Sequence, residues 1–290
     1  MATIEDVIGN TPMVELRRMN PNQNVKIFAK LEGNNPGGSV KDRPAYNMIK
    51  AALKRGDIQQ GTTLIEATSG NTGIGMALVA SIFSIPIELV MPSNSTRERV
   101  LTMEAFGAKV ILLDSIEACR DFAEEKGAQD GYFLLNQFAN PDNYLAHQLT
   151  TGPEIWRDSD QKITHFVSSM GTTGTIMGCS RFFKEVNPTI QIVGCQPTEN
   201  SSIPGIRRWA PEYLPKIFEP SRVDRVIDIS QEEATQFTRK LAKEEGIFAG
   251  MSSGGAASAA IRLSKELKSG LIVFICCDRG DRYLSADLFG

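Results

Sequence analysis

The stretch THFVSSMGTTGTIMGCSRFFKEV (164–186) reads in three parts. THFVSS (164–169) is a short apolar run of the kind that forms a strand buried on both faces. A Gly/Thr-rich turn follows, and TGTIMGCSRFFKEV (173–186) then carries helical spacing. Strand, glycine-rich loop and helix in that order make a unit of a parallel sheet. The same rhythm extends in both directions. Strand-like runs recur at VKIFAKL (25–31), TLIEAT (63–68), IPIELVM (85–91), AKVILL (108–113), IQIVGCQ (190–196) and LIVFICC (271–277). Helical patterns lie between them, among them VKDRPAYNMIKAALKRG (40–56), ERVLTMEAFG (98–107) and EEATQFTRKLAKEEG (232–246). Ser39 is expected to cap the first of these helices, Pro44 to sit in its opening turn and Gly56 to stop it. The expected fold class is α/β, with open, mostly parallel sheets covered by helices.

The chain has 290 residues, enough for one large α/β domain or two ordinary ones. Turn residues cluster in NQFANPDNY (136–144) after the strand-like YFLL (132–135), the natural place for a boundary. A long irregular stretch from Pro197 to Pro220 is of the kind that carries function. Lys plus Arg total 31 against 34 Asp plus Glu, so no basic surplus exists to grip a nucleic acid. No apolar run approaches the length of a membrane span, and no membrane partner is expected. The acidic N-terminus MATIEDVIGN lacks the basic start of a secretory signal, so a cytoplasmic location is expected. The five cysteines, two of them adjacent and none in CxxC spacing, argue against a disulfide framework or a zinc ribbon. With only His147 and His165, imidazole-dependent hydrolases and metal sites start at a disadvantage, and no metal is expected.

Three polar, Gly-rich loops are placed after strand-like segments: EATSGNTGIG (66–75), SSMGTTGTIMG (168–178) and GMSSGGAAS (250–258), the last behind GIF (246–248). Loops at the carboxyl ends of parallel strands meet in the crevice where such sheets bind ligands. Within GTTGT, Gly171 and Gly174 let the backbone approach closely before a helix whose N-terminus favours an anion. Neither GxGxxG nor GxxxxGK[ST] is present, so a phosphate smaller than a dinucleotide fits better. Gly250–Gly254 matches the GxSxG nucleophile elbow, but both histidines precede Ser252, the wrong chain order for that hydrolase class. Lysines near helix starts are commonly solvated. Lys41, in NNPGGSVKDR (34–43), stands where a helix dipole disfavours a cation, and beside a phosphate cradle such an amine suits Schiff-base chemistry.

These residues resemble a known family. GNTPMVEL (9–16), KLEGNNPGGSVKDRPA (30–45), EATSGNTGIGMA (66–77), SSMGTTGTIMG (168–178), GMSSGGA (250–256) and CDRGDRYLS (277–285) are similar to the cysteine synthases. These are pyridoxal-phosphate enzymes with a tryptophan-synthase-β-like fold (PLP fold type II), and the resemblance runs from Ile4 to Phe289. GTTGT together with SSIPGIRRW (201–209) and CDRGDR resembles the B-type branch; A-type members usually carry GTGGT and no paired arginines.

The resemblance implies two open parallel-sheet domains with pyridoxal 5'-phosphate in the cleft between them. A smaller domain (35–141) would carry the Schiff-base lysine, and a larger one (1–34 plus 142–290) the phosphate loop. It implies that Lys41 forms the internal aldimine and acts as general base, and that Asn71 bonds the ring hydroxyl. Gly171, Thr172, Thr173, Gly174 and Thr175 would hold the phosphate, with Ser252 at the pyridine nitrogen. Thr68, Ser69, Gly70 and Thr72, assisted by Gln137, would hold the substrate carboxylate. The implied reaction makes L-cysteine from O-acetyl-L-serine and sulfide through an α-aminoacrylate, and S-sulfocysteine from thiosulfate. Arg207 and Arg208 are expected to favour the larger anionic donor. A homodimer is the family's usual assembly. An A-type cysteine synthase, an O-phosphoserine sulfhydrylase and a non-catalytic PLP-fold regulatory protein are the alternatives.

Overall fold

A computed structural model describes residues 1–68, 70–286, 288 and 289. The chain begins with β1 (Met13–Glu15) and β2 (Val25–Leu31). It continues through α1 (Asp42–Arg55), β3 (Thr63–Ala67), α2 (Asn71–Ile82), β4 (Ile87–Pro92), α3 (Arg97–Ala105), β5 (Lys109–Leu113), α4 (Ile116–Gly127) and β6 (Tyr132–Leu134). Next come α5 (Pro141–Ala146), a π-helical turn (His147–Thr151), α6 (Gly152–Asp158), β7 (His165–Ser169), α7 (Gly174–Val186), β8 (Gln191–Pro197) and β9 (Arg225–Ile229). The chain closes with α8 (Gln231–Glu245), α9 (Met251–Glu266), β10 (Gly270–Cys276) and a 3-10 segment (Gly280–Ala286).

The strands form two separate sheets, ordered β1-β2-β10-β7-β8-β9 and β5-β4-β3-β6. Among the described residues, every pairing between these strands is parallel except the short antiparallel edge β1–β2. The α/β class with parallel-sheet domains is thus as expected. β10 inserts between β2 and β7, so Phe274 pairs with both Ala29 and Val167. Successive side chains go to opposite faces. Ile272 and Phe274 join one core with Ile27 and Ala260, while Val273 and Ile275 join another with Phe166 and Ile176. In the second sheet Leu64 and Leu89 pack under α1 and α2, whereas Ile65 and Val90 face Cys119 and Ala123 of α4. Burial on both faces explains why β10 reads as an unbroken apolar run.

Two local expectations are corrected. Ser39 does not cap α1; the cap position falls on Lys41, and the Ser39 hydroxyl accepts the Lys41 N–H at 3.2 Å. The helix does end at Gly56, whose φ of +81° is the left-handed conformation a helix stop uses. GIF (246–248) forms no strand. Gly246 ends α8 and Gly250 begins α9, with only an isolated bridge from Ala249 to Arg279 between them. The Ser-Ser-Gly-Gly run is therefore helix, whereas the other two loops do lie at carboxyl ends of parallel strands.

Candidate active site

Thr173 has φ of +70°, a strained conformation for a β-branched residue. Its hydroxyl is buried and has no hydrogen-bond partner among the described residues. Immediately after it, Gly174 opens the 13-residue α7, and a Cβ there would begin 2.0 Å from the Asn143 side chain. A strained turn, an unsatisfied hydroxyl and a helix N-terminus are together features that could hold a phosphate. Thr175, the second residue of the helix, meets the buried His147 at 3.3 Å. Burial first, then Arg43 and Lys41, push the pKa of His147 well below its ordinary value.

The other candidates form a circuit around this turn. Trp209 donates to the Gly171 carbonyl at 2.7 Å, and the Arg207 N–H donates to that of Met170. Asn143 bridges Thr172 (3.3 Å) and the Gln137 carbonyl (2.7 Å). Gln137 in turn receives the Thr72 hydroxyl at 2.9 Å and donates to Ala67 at the end of β3. The Thr68 hydroxyl accepts the N–H groups of Gly70 and Gly73, holding the start of α2. Ser69 lies outside the described residues. Asn71, the first residue of α2, donates to Asp278 at 2.7 Å. Asp278 follows Cys277, whose carbonyl accepts the N–H of Val40 at 2.8 Å. The Ser253 hydroxyl accepts the Cys277 N–H at 2.9 Å, and the neighbouring Ser252 carbonyl accepts from Ser169 at the end of β7. The circuit closes there.

Lys41 stands inside it, half-buried, its carbonyl pressed by Gly75 of α2, where a Cβ would begin 2.9 Å away. Burial pushes its amine below the ordinary lysine value, while Cys277, Asp278 and Glu32 pull the other way. The Cys277 thiol is pushed up to about 11, chiefly by burial and against the pull of Lys41, so it is protonated at neutral pH. Beneath Lys41 lies an ion network that sequence reasoning missed. Arg43 spans Glu32 (2.7 Å) and Glu154 (2.6 Å), and the fully buried Lys30 reaches Glu154 (2.9 Å) and Asp158 (3.1 Å). Removing one member of such a buried network leaves an unpaired charge, at a cost of about 3–5 kcal/mol. Glu154 and Asp158 stand more than a hundred positions from Lys30 and Arg43 in the chain, and no local pattern links the two groups.

The arginine pair is split. Arg208 is turned to the sheet edge, donating to the Pro197 carbonyl (2.8 Å) and pairing with Asp228 (2.7 Å). Arg207 is exposed, on the backbone that touches Met170. The sequence also left Asp278, Arg282 and Tyr283 unassigned, although the CDRGDRYLS motif contains all three.

The two sheets and the site that joins them define a class: the family model for pyridoxal-phosphate dependent enzymes matches residues 4–278. The chain is 57% identical over 290 residues to cysteine synthase B of Pseudomonas aeruginosa, covering 99% of this chain and 97% of that one. It is 54% identical over 293 residues to cysteine synthase B of Escherichia coli, covering 100% and 97%. A solved cysteine synthase (OASS) from Entamoeba histolytica superposes with a TM-score of 0.94 at 35% identity, covering 100% of this chain and 90% of the other. The chain belongs to the pyridoxal-phosphate-dependent enzymes and, within them, to the cysteine synthases. Pyridoxal 5'-phosphate is its cofactor, and the buried, unpartnered Thr173 hydroxyl fits a phosphate acceptor.

Proposed function

We propose that this chain replaces the acetoxy group of O-acetyl-L-serine with sulfide, releasing L-cysteine, at the site ringed by Lys41, Asn71, Gly171–Thr175 and Ser252. The observation that carries the reading is the closed circuit of contacts around one amine of lowered pKa, with an unpartnered hydroxyl on its phosphate side. The bound cofactor supplies an electron sink, which lets an α-proton leave and a β-substituent depart. Lys41 anchors that cofactor and, when its Nζ is free, takes the substrate α-proton. Its lowered pKa keeps more of the amine in the basic form. The start of α2, with Thr68, Ser69, Gly70, Thr72 and Gln137, receives the substrate carboxylate at the positive end of the helix dipole.

Ser252 would present a hydroxyl rather than a carboxylate to the ring nitrogen of the bound cofactor, so it would not hold that nitrogen protonated and the sink would be milder. This is sufficient for a good leaving group. Arg207 faces the entering donor and extends the reaction to thiosulfate. Arg208 is already engaged with Asp228, and the donor role rests on its neighbour.

The two domains of this reading are 35–141 and 1–34 plus 142–290, supported by the separation of the two sheets and their cores. The five unpaired cysteines support work in a reducing compartment such as the cytoplasm. A homodimer is the assembly we expect, to be checked by sedimentation. The reaction itself is tested by supplying purified holoenzyme with O-acetylserine and sulfide. L-cysteine and acetate should appear in equal amounts, and an enzyme that bound the cofactor but formed neither product would refute the reading.

A further inference from the structure

Asn71 is gripped at both ends of its amide. Its Nδ2 donates to Asp278 Oδ2 at 2.7 Å, and its Oδ1 accepts from Arg282 Nη1 at 2.5 Å. A rotated amide would set N–H against guanidinium and oxygen against carboxylate, so only one orientation is compatible with both partners. In that orientation one N–H of the amide is left over.

The grip reaches further than Asn71. The second Arg282 nitrogen donates to the Gly37 carbonyl, four residues before Lys41. Gly38, at φ +79°, makes that approach possible: a Cβ there would begin 2.6 Å from Arg282 Nη2. On the other side, Asp278 Oδ2 also receives the buried Tyr283 hydroxyl at 2.6 Å, and the Tyr283 ring lies under the Arg99 guanidinium of α3. Ser285 donates to Glu98 of the same helix. Residues 278–286 thus leave the end of β10 in the six-stranded domain and strap across to the starts of α2 and α3 beside the four-stranded sheet.

We propose that Asp278 and Arg282 are positioning residues: they hold the Asn71 amide in a single orientation and tie it to the Lys41 turn, so that the two meet the cofactor together. The proposal rests on the reading that Asn71 binds the cofactor. Charge-assisted bonds at both ends make the hold stiff.

The test measures the affinity of apoenzyme for pyridoxal phosphate and the visible spectrum of reconstituted protein, with folding followed by circular dichroism. Asp278→Asn and Arg282→Met should each weaken cofactor affinity about tenfold, the scale of one charge-assisted hydrogen bond, and should shift the absorption band in the direction produced by Asn71→Ala. Arg282→Lys, which keeps the charge but loses the fork, should recover part of both effects. In the Asn71→Ala background, Arg282→Met should cost less than it does in the parent, because its hold on the amide is already gone and only its bond to the Gly37 carbonyl is left to lose. If Asn71→Ala changes nothing, the cofactor reading of Asn71 falls and the proposal with it. If Asn71→Ala has its effect but the Asp278 and Arg282 variants bind and absorb like the parent, or if the effects are additive in the double variant, the proposal alone is overturned.

Discussion

The N–H of Val40 donates to the carbonyl of Cys277 at 2.8 Å, pinning the residue before Lys41 to the end of the central strand β10. Lys41 is thereby attached to the six-stranded sheet through its backbone, while the helix it begins packs into the core of the other sheet. The lysine stands between the backbone of one sheet and the core of the other.

Its role is separable from stability. Lys41→Ala should fold normally, since the side chain is only half-buried, yet turnover should fall at least a thousandfold and the cofactor's visible band should vanish. Assay and absorbance of the purified variant decide this; retained turnover with an unchanged band would refute the Schiff-base role.

Thr173 carries a trade-off. Thr173→Gly should relieve the positive φ and stabilise the apoenzyme by about 1 kcal/mol, less any entropy glycine adds to the unfolded chain. The same change removes the unpartnered hydroxyl and should weaken cofactor affinity about tenfold. Denaturant unfolding of apoenzyme and cofactor titration should move in opposite directions; movement in the same direction would contradict a phosphate role.

Arg207 and Arg208 should behave differently despite their adjacency. Arg207→Ala should lower kcat/KM for thiosulfate several-fold more than for sulfide, because guanidinium suits a polyoxygen anion. Arg208→Ala should leave the ratio of the two donors unchanged and instead loosen the β8–β9 edge that it ties through Asp228. Steady-state kinetics with both donors checks each variant; equal falls for the two donors in Arg207→Ala would remove it from donor choice.

Glu66, almost fully buried in β3, is pushed up to about 8, mainly by burial and against the N–H groups of Gln137 and Asn136. A raised carboxyl stabilises the fold while protonated; its contribution is complete below the ordinary value of 4.5 and is lost as pH rises through about 8. Asp42, raised to about 7 chiefly by burial, acts in the same sense. Glu154 acts in the opposite one. Burial alone would raise it, but Arg43 and Lys30 hold it at about 2, so its contribution is lost as pH falls from 4.5 towards that value. Melting temperatures across pH should therefore decline on both sides, and Glu66→Gln should flatten the alkaline decline. An unchanged alkaline slope would show that Glu66 is already ionised in the fold.

The strands of the two sheets were legible because burial on both faces leaves long Val/Ile/Leu runs; VKIFAKL (25–31) matches β2 residue for residue. β1 and β9 were not, being short edge strands with little buried surface to impose a pattern. The cap at Ser39 was misplaced because the backbone of Val40 is held by Cys277, a partner that the local sequence does not announce. The glycine-rich loops carried their message locally, since a backbone that must approach a phosphate needs small residues in sequence. The supports behind them did not: Lys30 with Glu154, His147 with Thr175, and Asn71 with Asp278 and Arg282 all meet through the fold.

The most direct test of the whole account is to reduce the holoenzyme with borohydride, digest it and locate the pyridoxyl label by mass spectrometry. The account predicts a single labelled peptide with the modification on Lys41, and no label in Lys41→Ala treated the same way. Label on another lysine, or equal labelling of the variant, would contradict it.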